Sequence, residues 1–472
     1  MKMLYSLFSL PGCSDDRTQR KITEVVVRQG KCTKERSEII NKLVLGVIVK
    51  GQRPISMVED SAFIDLLHYL EPGYACPGRT YFTKAVDVKY NEVVEKMSVM
   101  LAGAQYISIT TDTWTSLATE SYLTITVHYI DDKWSLISRI LGTMLLEDRH
   151  TGQNLSQWIL EMLTKFGVDP SKIVAVVHDN AANMVSAMQV LQQLHGWESI
   201  RCSAHTLQLA VNAAIRVSDD IQNVLAKARK VVEHFNRSTV ASGALEKQQL
   251  QMQLKPLALI QDVPTRWSSS YNMCNRLKEL RLPVSMVLSN RQIIDNQKRS
   301  ELELTTDEWS YIESLCDLLE PFALLTKFFE GQSYVSISSL QPLIKGTMIA
   351  MKVKPLDRPH VVMFKREATR QLETRFDDIF SIRPPNRQSR DNGCVSIAIR
   401  ACAVDTRFHK LKSLNHEQPR IVRSFLETEM IKLATANSPD VQVTEGADDE
   451  PGYTTIHFTY SVVLSSCFVL KP

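Results

Sequence analysis

The chain has 472 residues, 44% of them hydrophobic and 23% charged, with 17 glycines and 18 prolines, a balance that excludes a disordered or collagen-like protein. At roughly 100 to 200 residues per domain, this length calls for two to four domains. Its 55 basic and 52 acidic side chains leave a formal net charge of +3, so there is no overall basic field and any nucleic-acid contact has to be a local patch.

The nine cysteines, Cys13, Cys32, Cys76, Cys202, Cys274, Cys316, Cys394, Cys402 and Cys467, form no C-x-x-C pair and lack the density of a disulfide scaffold, so reduced thiols of the cytosol or nucleus are expected. Met1 to Ser14 has a single lysine and an apolar run broken by serines, a poor match to an export signal. The sequons at Asn154 and Asn236 therefore carry no glycosylation reading. No apolar run, Phe458 to Leu470 included, reaches the roughly 20 residues that span a bilayer, and no membrane partner is expected.

In chain order, residues 1–34 are poorly defined. Apolar residues then recur at three and four over Lys34 to Val49 and Asp60 to Tyr69, with Pro54 as a break, and the helical period resumes over Lys84 to Leu101 after Pro72 and Pro77. This predicts a helical leader domain over 35–103. Three β-rich runs follow, Tyr106 to Thr111, Tyr122 to Ile130 and Trp134 to Leu146, the last two joined by Asp131-Asp132 as a hairpin turn. Helical Asn154 to Phe166, the all-apolar strand Ile173 to Val177, helical Asn183 to Leu194, a short strand Ser199 to Cys202 and helical His205 to Arg216 complete the order βββαβαβα. That is the order of a ribonuclease-H-like mixed sheet in the α/β class, here over 104–270.

Helical periods over Tyr271 to Val287, Asp307 to Phe329, Val361 to Phe376 and Val395 to Leu411 predict a mostly α-helical insertion over 271–440. Arg383 to Gly393 and the acidic Glu445 to Gly452 read as linkers, the latter within an atypical tail over 441–472. Lys227, Arg229, Lys230 and Arg237 read either as a basic helix face or as an ordinary solvated surface.

Asp112 follows the first β-run and Asp179 follows the covered strand. In this sheet order the first and fourth strands are neighbours, so the two carboxylates converge. Paired carboxylates suit Mg²⁺, which takes oxygen ligands and bridges to phosphates, and two such ions stabilise both oxygens of a phosphodiester exchange. The competing reading is that each aspartate only caps the turn that follows it. Walker A, G-x-G-x-x-G, H-E-x-x-H and G-x-S-x-G patterns are all missing.

The segments Arg53-Pro54-Ile55-Ser56-Met57-Val58-Glu59, Ile109 to Ser116, His178-Asp179-Asn180-Ala181-Ala182-Asn183-Met184, Arg201-Cys202-Ser203-Ala204-His205-Thr206-Leu207-Gln208-Leu209 and Asp262 to Ser269, with Leu319 to Phe322 and Ala403 to Phe408, resemble in order the hAT superfamily of transposases, especially its domesticated members with a BED-type zinc finger. The resemblance runs from about residue 35 to about residue 415. It implies that Asp112 and Asp179 match the first two metal-binding acids and that Cys202 and His205 match a C-x-x-H element beside the active site. It further implies that Arg266 and Trp267 match an Arg-Trp block near the cleaved DNA end. In physical terms His205 opens a helix and suits a phosphate, while Trp267 would stack an unpaired base or else fill a core.

No block like the family's C-terminal Ser-Glu-Arg-like core, which carries its third acid and its dimerisation region, is found, and only Glu320 and Asp405 stand as loose substitutes. No BED finger is found either. Cys202 with His205 offers two of the four ligands of a structural zinc, so none is expected there. The expectation is a domesticated or truncated transposase-like protein of the nucleus, associated with DNA or chromatin and involved in transcription regulation, without transposition. Homo-oligomers belong to the full-length family. The alternatives are a Mg²⁺-dependent nuclease or transposase and a protein-interaction scaffold with a role in small-modifier ligation.

Overall fold

The computed structural model describes residues 32–263, 266–331, 334, 336–383 and 394–437. Almost all of the 1–34 segment, the linker after Arg383 and the 441–472 tail lie outside them. The chain divides between Met100 and Leu101 into two compact units.

The first unit is helical. Helix α1 (Lys34–Lys50) begins where the Thr33 hydroxyl accepts from the Arg36 N–H, and α2 (Ser61–Leu70) where the Asp60 carboxylate accepts from the Phe63 N–H, each satisfying an amide that has no intrahelical partner. A short 3₁₀ turn (Ile55–Glu59) follows Pro54, and α3 runs Arg79–Gly103. Val44, Ile48, Val58 and Phe82 form the core of this unit.

The second unit opens with β1 (Ile107–Thr115), β2 (Ser121–Ile130) and β3 (Leu136–Leu145), followed by α4 (Gly152–Lys165), β4 (Ile173–His178), α5 (Ala182–His195), β5 (Glu198–Arg201) and α6 (Ser203–Arg216). The five strands lie in the order β3-β2-β1-β4-β5, with β1 antiparallel to β2 and parallel to β4. This is the expected ribonuclease-H-like sheet, and it sets the first and fourth strands side by side.

Alternation along the strands sorts the two faces. Ile109, Leu123, Ile125 and Val127 are fully buried, on the face where the Thr111 hydroxyl reaches Met184 of α5. Close helix packing explains two glycines on this side. A Cβ on Gly142 of β3 would lie 3.2 Å from Met162 of α4, and one on Gly152 would lie 2.5 Å from Ser186 Oγ of α5.

On the other face, Ala175, Val177 and Ile200 enter one continuous core with the helices that follow. These are α7 (Asp219–Arg237), α8 (Thr239–Gln251), α9 (Trp267–Glu279), α10 (Arg281–Ser289), α11 (Asn296–Leu302), α12 (Thr306–Phe329), α13 (Ile337–Ala350) and α14 (Pro359–Arg375). A small β6–β7 pair (Ile382–Arg383 and Cys394–Val395), α15 (Ile397–Val404) and α16 (Gln418–Asn437) complete the described chain.

Two sequence readings need correction here. Tyr271 to Val287 is two helices, broken at Leu280, because Pro283 has no N–H to give to the carbonyl of Glu279. Val395 to Leu411 is a strand residue, the eight-residue α15 and a series of turns. Asp405 ends α15 in extended backbone, and its carboxylate accepts from the Arg407 N–H and guanidinium.

Candidate nucleic-acid cleft

On β1 the even-numbered residues Thr110 and Asp112 face the side on which the later helices pack. Opposite them in register stand Thr126 and Thr124 of β2. These four side chains, with Ser138 and Ile140 of β3, form the floor of a cleft of about 970 Å³. Asp179, just beyond β4, enters from the neighbouring strand. The walls come from Cys202, His205, Gln208 and Asn212 at and along α6, from Arg266 and Ser268, and from Thr326 and Glu330 at the end of α12.

Asp179 is held in place from several directions. Its Oδ1 accepts from the Ala181 N–H at 3.0 Å and its Oδ2 from the Thr113 hydroxyl at 3.3 Å. Behind it His178, only 1% exposed, bonds through Nδ1 to the Asp179 carbonyl, which can only accept, so Nδ1 carries the proton and Nε2 accepts from Ser199 Oγ at 2.9 Å. Burial lowers the pKa of this imidazole, the bond to Asp179 opposing the shift, so it stays neutral.

Asp112 is reached by solvent, yet the cleft walls thin the water around its carboxyl. That partial burial first, and the Asp179 carboxylate second, raise its pKa, while His205 and an N–H bond at Thr113 pull the other way. The two carboxylates therefore feel each other across the cleft, the electrostatic setting that a cation relieves. Each Asp179 oxygen accepts one hydrogen bond and keeps a further lone pair, and Asp112 adds an all-oxygen partner. This donor chemistry fits a hard divalent ion. Among the described residues, however, no three His, Cys, Asp or Glu side chains are grouped closely enough to hold a metal.

Cys202 caps α6 and joins the sheet edge through its N–H to the His178 carbonyl at 2.6 Å. Burial raises the pKa of its thiol, with Asp112 and Asp179 adding to the rise against backbone bonds from His205 and Ala204, so the thiol stays protonated and unreactive. His205 stands in the first turn of α6, exposed, on the cleft wall. Asn180 donates to Thr206 Oγ1 at 2.8 Å, tying the turn after β4 to the same helix.

The Arg-Trp pair separates. Arg266 is exposed in the cleft, whereas Trp267 is 2% exposed and meets Phe322 edge-on in the core, with ring centroids 6.4 Å apart. An indole packed in this way cannot stack a base, which corrects the base-stacking reading of Trp267. An exposed aromatic beside the cleft is Trp114, two residues beyond Asp112 on the same face of β1. Its ring stacks on Tyr122 at 4.6 Å and its Nε1 donates to Thr124, beside the cleft floor. The i, i+2 spacing of Asp112 and Trp114 is the sequence signal that would have identified it.

Other expectations also change. Glu320 and Asp405 are not on the cleft; the carboxylate on its wall besides the aspartates is Glu330. Burial alone would raise the pKa of Asp405, but Arg407 and Ser338 bind it and hold it down at about 2. The basic face of α7 is largely spent on ion pairs. Lys227 binds Glu308 at 2.7 Å, Arg229 binds the buried Asp262 at 2.9 Å and Arg237 binds Glu233 at 2.8 Å. The Asp262 pair, joined by the Ser270 hydroxyl at 2.8 Å, anchors the chain on both sides of Arg266.

Two family models match this part of the molecule. The ZBED1 RNase-like domain matches residues 110–206 and the ZBED1 RNase-like helical domain residues 200–318. The chain is 30% identical over 308 residues to a putative AC transposase of Zea mays, covering 62% of this chain and 37% of that protein. Over this region the chain is similar to hAT transposases and to BED-type zinc finger proteins. The human zinc finger BED domain-containing protein 4 is 29% identical over 324 residues, covering 65% of this chain and 26% of that protein. The mouse zinc finger BED domain-containing protein 6 is 27% identical over 342 residues, covering 68% and 33%. The chain thus spans between 26% and 37% of the length of these relatives. Asp112, Asp179, Cys202 and His205 fall in the RNase-like match and Arg266 in the helical one, while Thr326 and Glu330 lie beyond both.

Proposed function

We propose that the cleft binds nucleic acid within a nuclear, chromatin-associated protein that takes part in transcription regulation and does not transpose. The observation that carries this reading is the composition of the cleft. An exposed cation, Arg266, and the helix-opening His205 stand on the walls of the cleft, and Thr124 of its floor accepts from Trp114 of the neighbouring Trp114–Tyr122 stack. Arg266 and the α6 N-terminus suit phosphates, and the aromatic platform suits an unpaired base. Strand cleavage by two metal ions needs a fuller set of ligands than the Asp112 and Asp179 pair. The similarity to the putative transcriptional regulator tpeD of Talaromyces stipitatus, 27% identical over 334 residues, agrees with the regulatory part of the reading.

The second reading is a Mg²⁺-dependent nuclease, favoured by the mutual repulsion of Asp112 and Asp179 and by Glu330 on the same cleft wall. Asp112 and Asp179 would hold the ion, which would polarise a phosphate when bound. The chain's own part would be to fix Asp179 through Thr113, Ala181 and His178. Incubation of supercoiled DNA with the protein and Mg²⁺ or Mn²⁺, beside an Asp112→Ala/Asp179→Ala variant, separates the readings. DNA binding without nicking is expected; nicking that disappears in the variant would establish the nuclease instead.

A further inference from the structure

The first unit carries a groove of about 1260 Å³ between α1 and α3, lined by residues of these helices and by Gly51 and Arg53 just after α1. Its apolar residues are unusually open to water. Leu43 is 65% exposed, Val47 45% and Val88 60%, whereas Val44 and Ile48, one position further round α1, are buried in the core. Helix α1 therefore has two apolar faces, one used by the fold and one facing the groove. Contiguous exposed apolar surface between two helices is the ordinary mark of a docking site.

Two further features define the occupant. Gly46 lies mid-helix in the groove wall, and a Cβ built there meets nothing within 4 Å. A helical glycine costs roughly 0.5 to 1 kcal/mol against alanine, and neither a close contact nor a positive φ within the described residues requires this one. Its effect is to deepen the groove so that another backbone can approach. The rim is basic. Lys42, Lys50, Arg53 and Lys84 have no carboxylate in ion-pair range among the described residues, and the single acid, Glu92, is bound to Lys89 at 2.8 Å.

We propose that this groove docks an acidic amphipathic helix of a partner protein, its apolar ridge lying over Gly46 between Leu43, Val47 and Val88 and its carboxylates meeting the four rim cations. In helix-in-groove recognition the docked helix carries apolar anchors at i, i+3, i+4 and i+7; here Tyr81, Ala85 and Val88 give one wall its apolar lining, with Lys84 on the rim beside them. Helix α1 of 17 residues is about 25 Å long at roughly 1.5 Å per residue, room for a partner of about five turns. Duplex DNA would need a polar surface for its phosphates, and here the floor is apolar.

The test uses the whole chain and a fluorescein-labelled synthetic peptide of about five helical turns, leucine on one face and glutamate on the other. Fluorescence anisotropy is expected to show saturable binding that weakens with salt. Gly46→Leu, whose Cβ would meet nothing within 4 Å and whose longer side chain would fill the groove, should weaken it at least tenfold, and Lys42→Glu/Lys84→Glu at least fivefold. Circular dichroism should show both variants folded, and Val88→Glu serves as a second groove-blocking variant. Several results would overturn the proposal: no binding by the wild-type chain, equal binding of a peptide with lysine in place of glutamate, binding untouched by both Gly46→Leu and Val88→Glu, displacement of the peptide by duplex DNA, or a dimer of this chain that Gly46→Leu dissociates.

Discussion

Replacing Asp262 by alanine tests whether a buried ion pair holds the cleft wall. The Asp262 side chain is fully buried, accepts from Arg229 Nε through both oxygens at 3.0 and 2.9 Å, and accepts from Ser270 Oγ at 2.8 Å. Breaking a buried pair by removing one partner costs about 3 to 5 kcal/mol. The Arg229 side chain is 30% exposed and regains water, which brings the expected loss to about 2 to 3 kcal/mol after allowance for solvent screening. Urea unfolding followed by circular dichroism should show this as a lower midpoint with unchanged slope. The double variant Asp262→Leu/Arg229→Met should recover most of the loss, since no uncompensated charge then remains. DNA affinity should fall in Asp262→Ala even at temperatures where it stays folded, because Arg266 loses its anchored approach. A loss below about 1 kcal/mol, or a double variant worse than the single one, would refute the assignment of this pair as the anchor.

Further outcomes follow from the same packing. Because the folded-state pKa of Asp112 is raised, its ionisation opposes folding: its contribution is most favourable when protonated and is lost as pH rises from the ordinary carboxylate range through the raised value. Asp112→Asn should therefore raise the melting temperature near neutral pH and flatten its pH dependence on the weakly acidic side, as thermal scans at several pH values would show. Gly152→Ala should lower stability by about 1 to 3 kcal/mol, since its Cβ would meet Ser186 Oγ at 2.5 Å and the Ala187 backbone at 3.0 Å; equal urea midpoints would contradict the packing. Trp267→Ala should cost about 3 to 5 kcal/mol of stability. Trp114→Ala should instead leave the fold within about 1 kcal/mol and weaken single-stranded DNA binding by about 1 to 3 kcal/mol; the opposite pattern in paired unfolding and binding titrations would exchange their roles.

The strands were legible because β-branched runs alternate, and the convergence of Asp112 and Asp179 followed from strand order alone. What the linear sequence concealed was pairing over distance. Lys227 and Arg229 look like a free basic face until Glu308 and Asp262, 81 and 33 residues away, close on them. Trp267 beside Arg266 invites a shared role, but consecutive residues at a helix start point in different directions, and only one of them reaches the cleft. The break at Leu280 was legible in Pro283. The shortened α15 was less so, because its end depends on the bonds of Asp405 with Arg407 and with Ser338 on α13.

The most direct test of the cleft is anisotropy of a labelled single-stranded DNA against the whole chain and against Trp114→Ala/Arg266→Ala, across a salt series. The account predicts binding by the wild-type chain that weakens with salt, and in the variant at least a tenfold lower affinity with a shallower salt slope. Equal affinity and slope in the two proteins, or no binding by the wild-type chain, would contradict it.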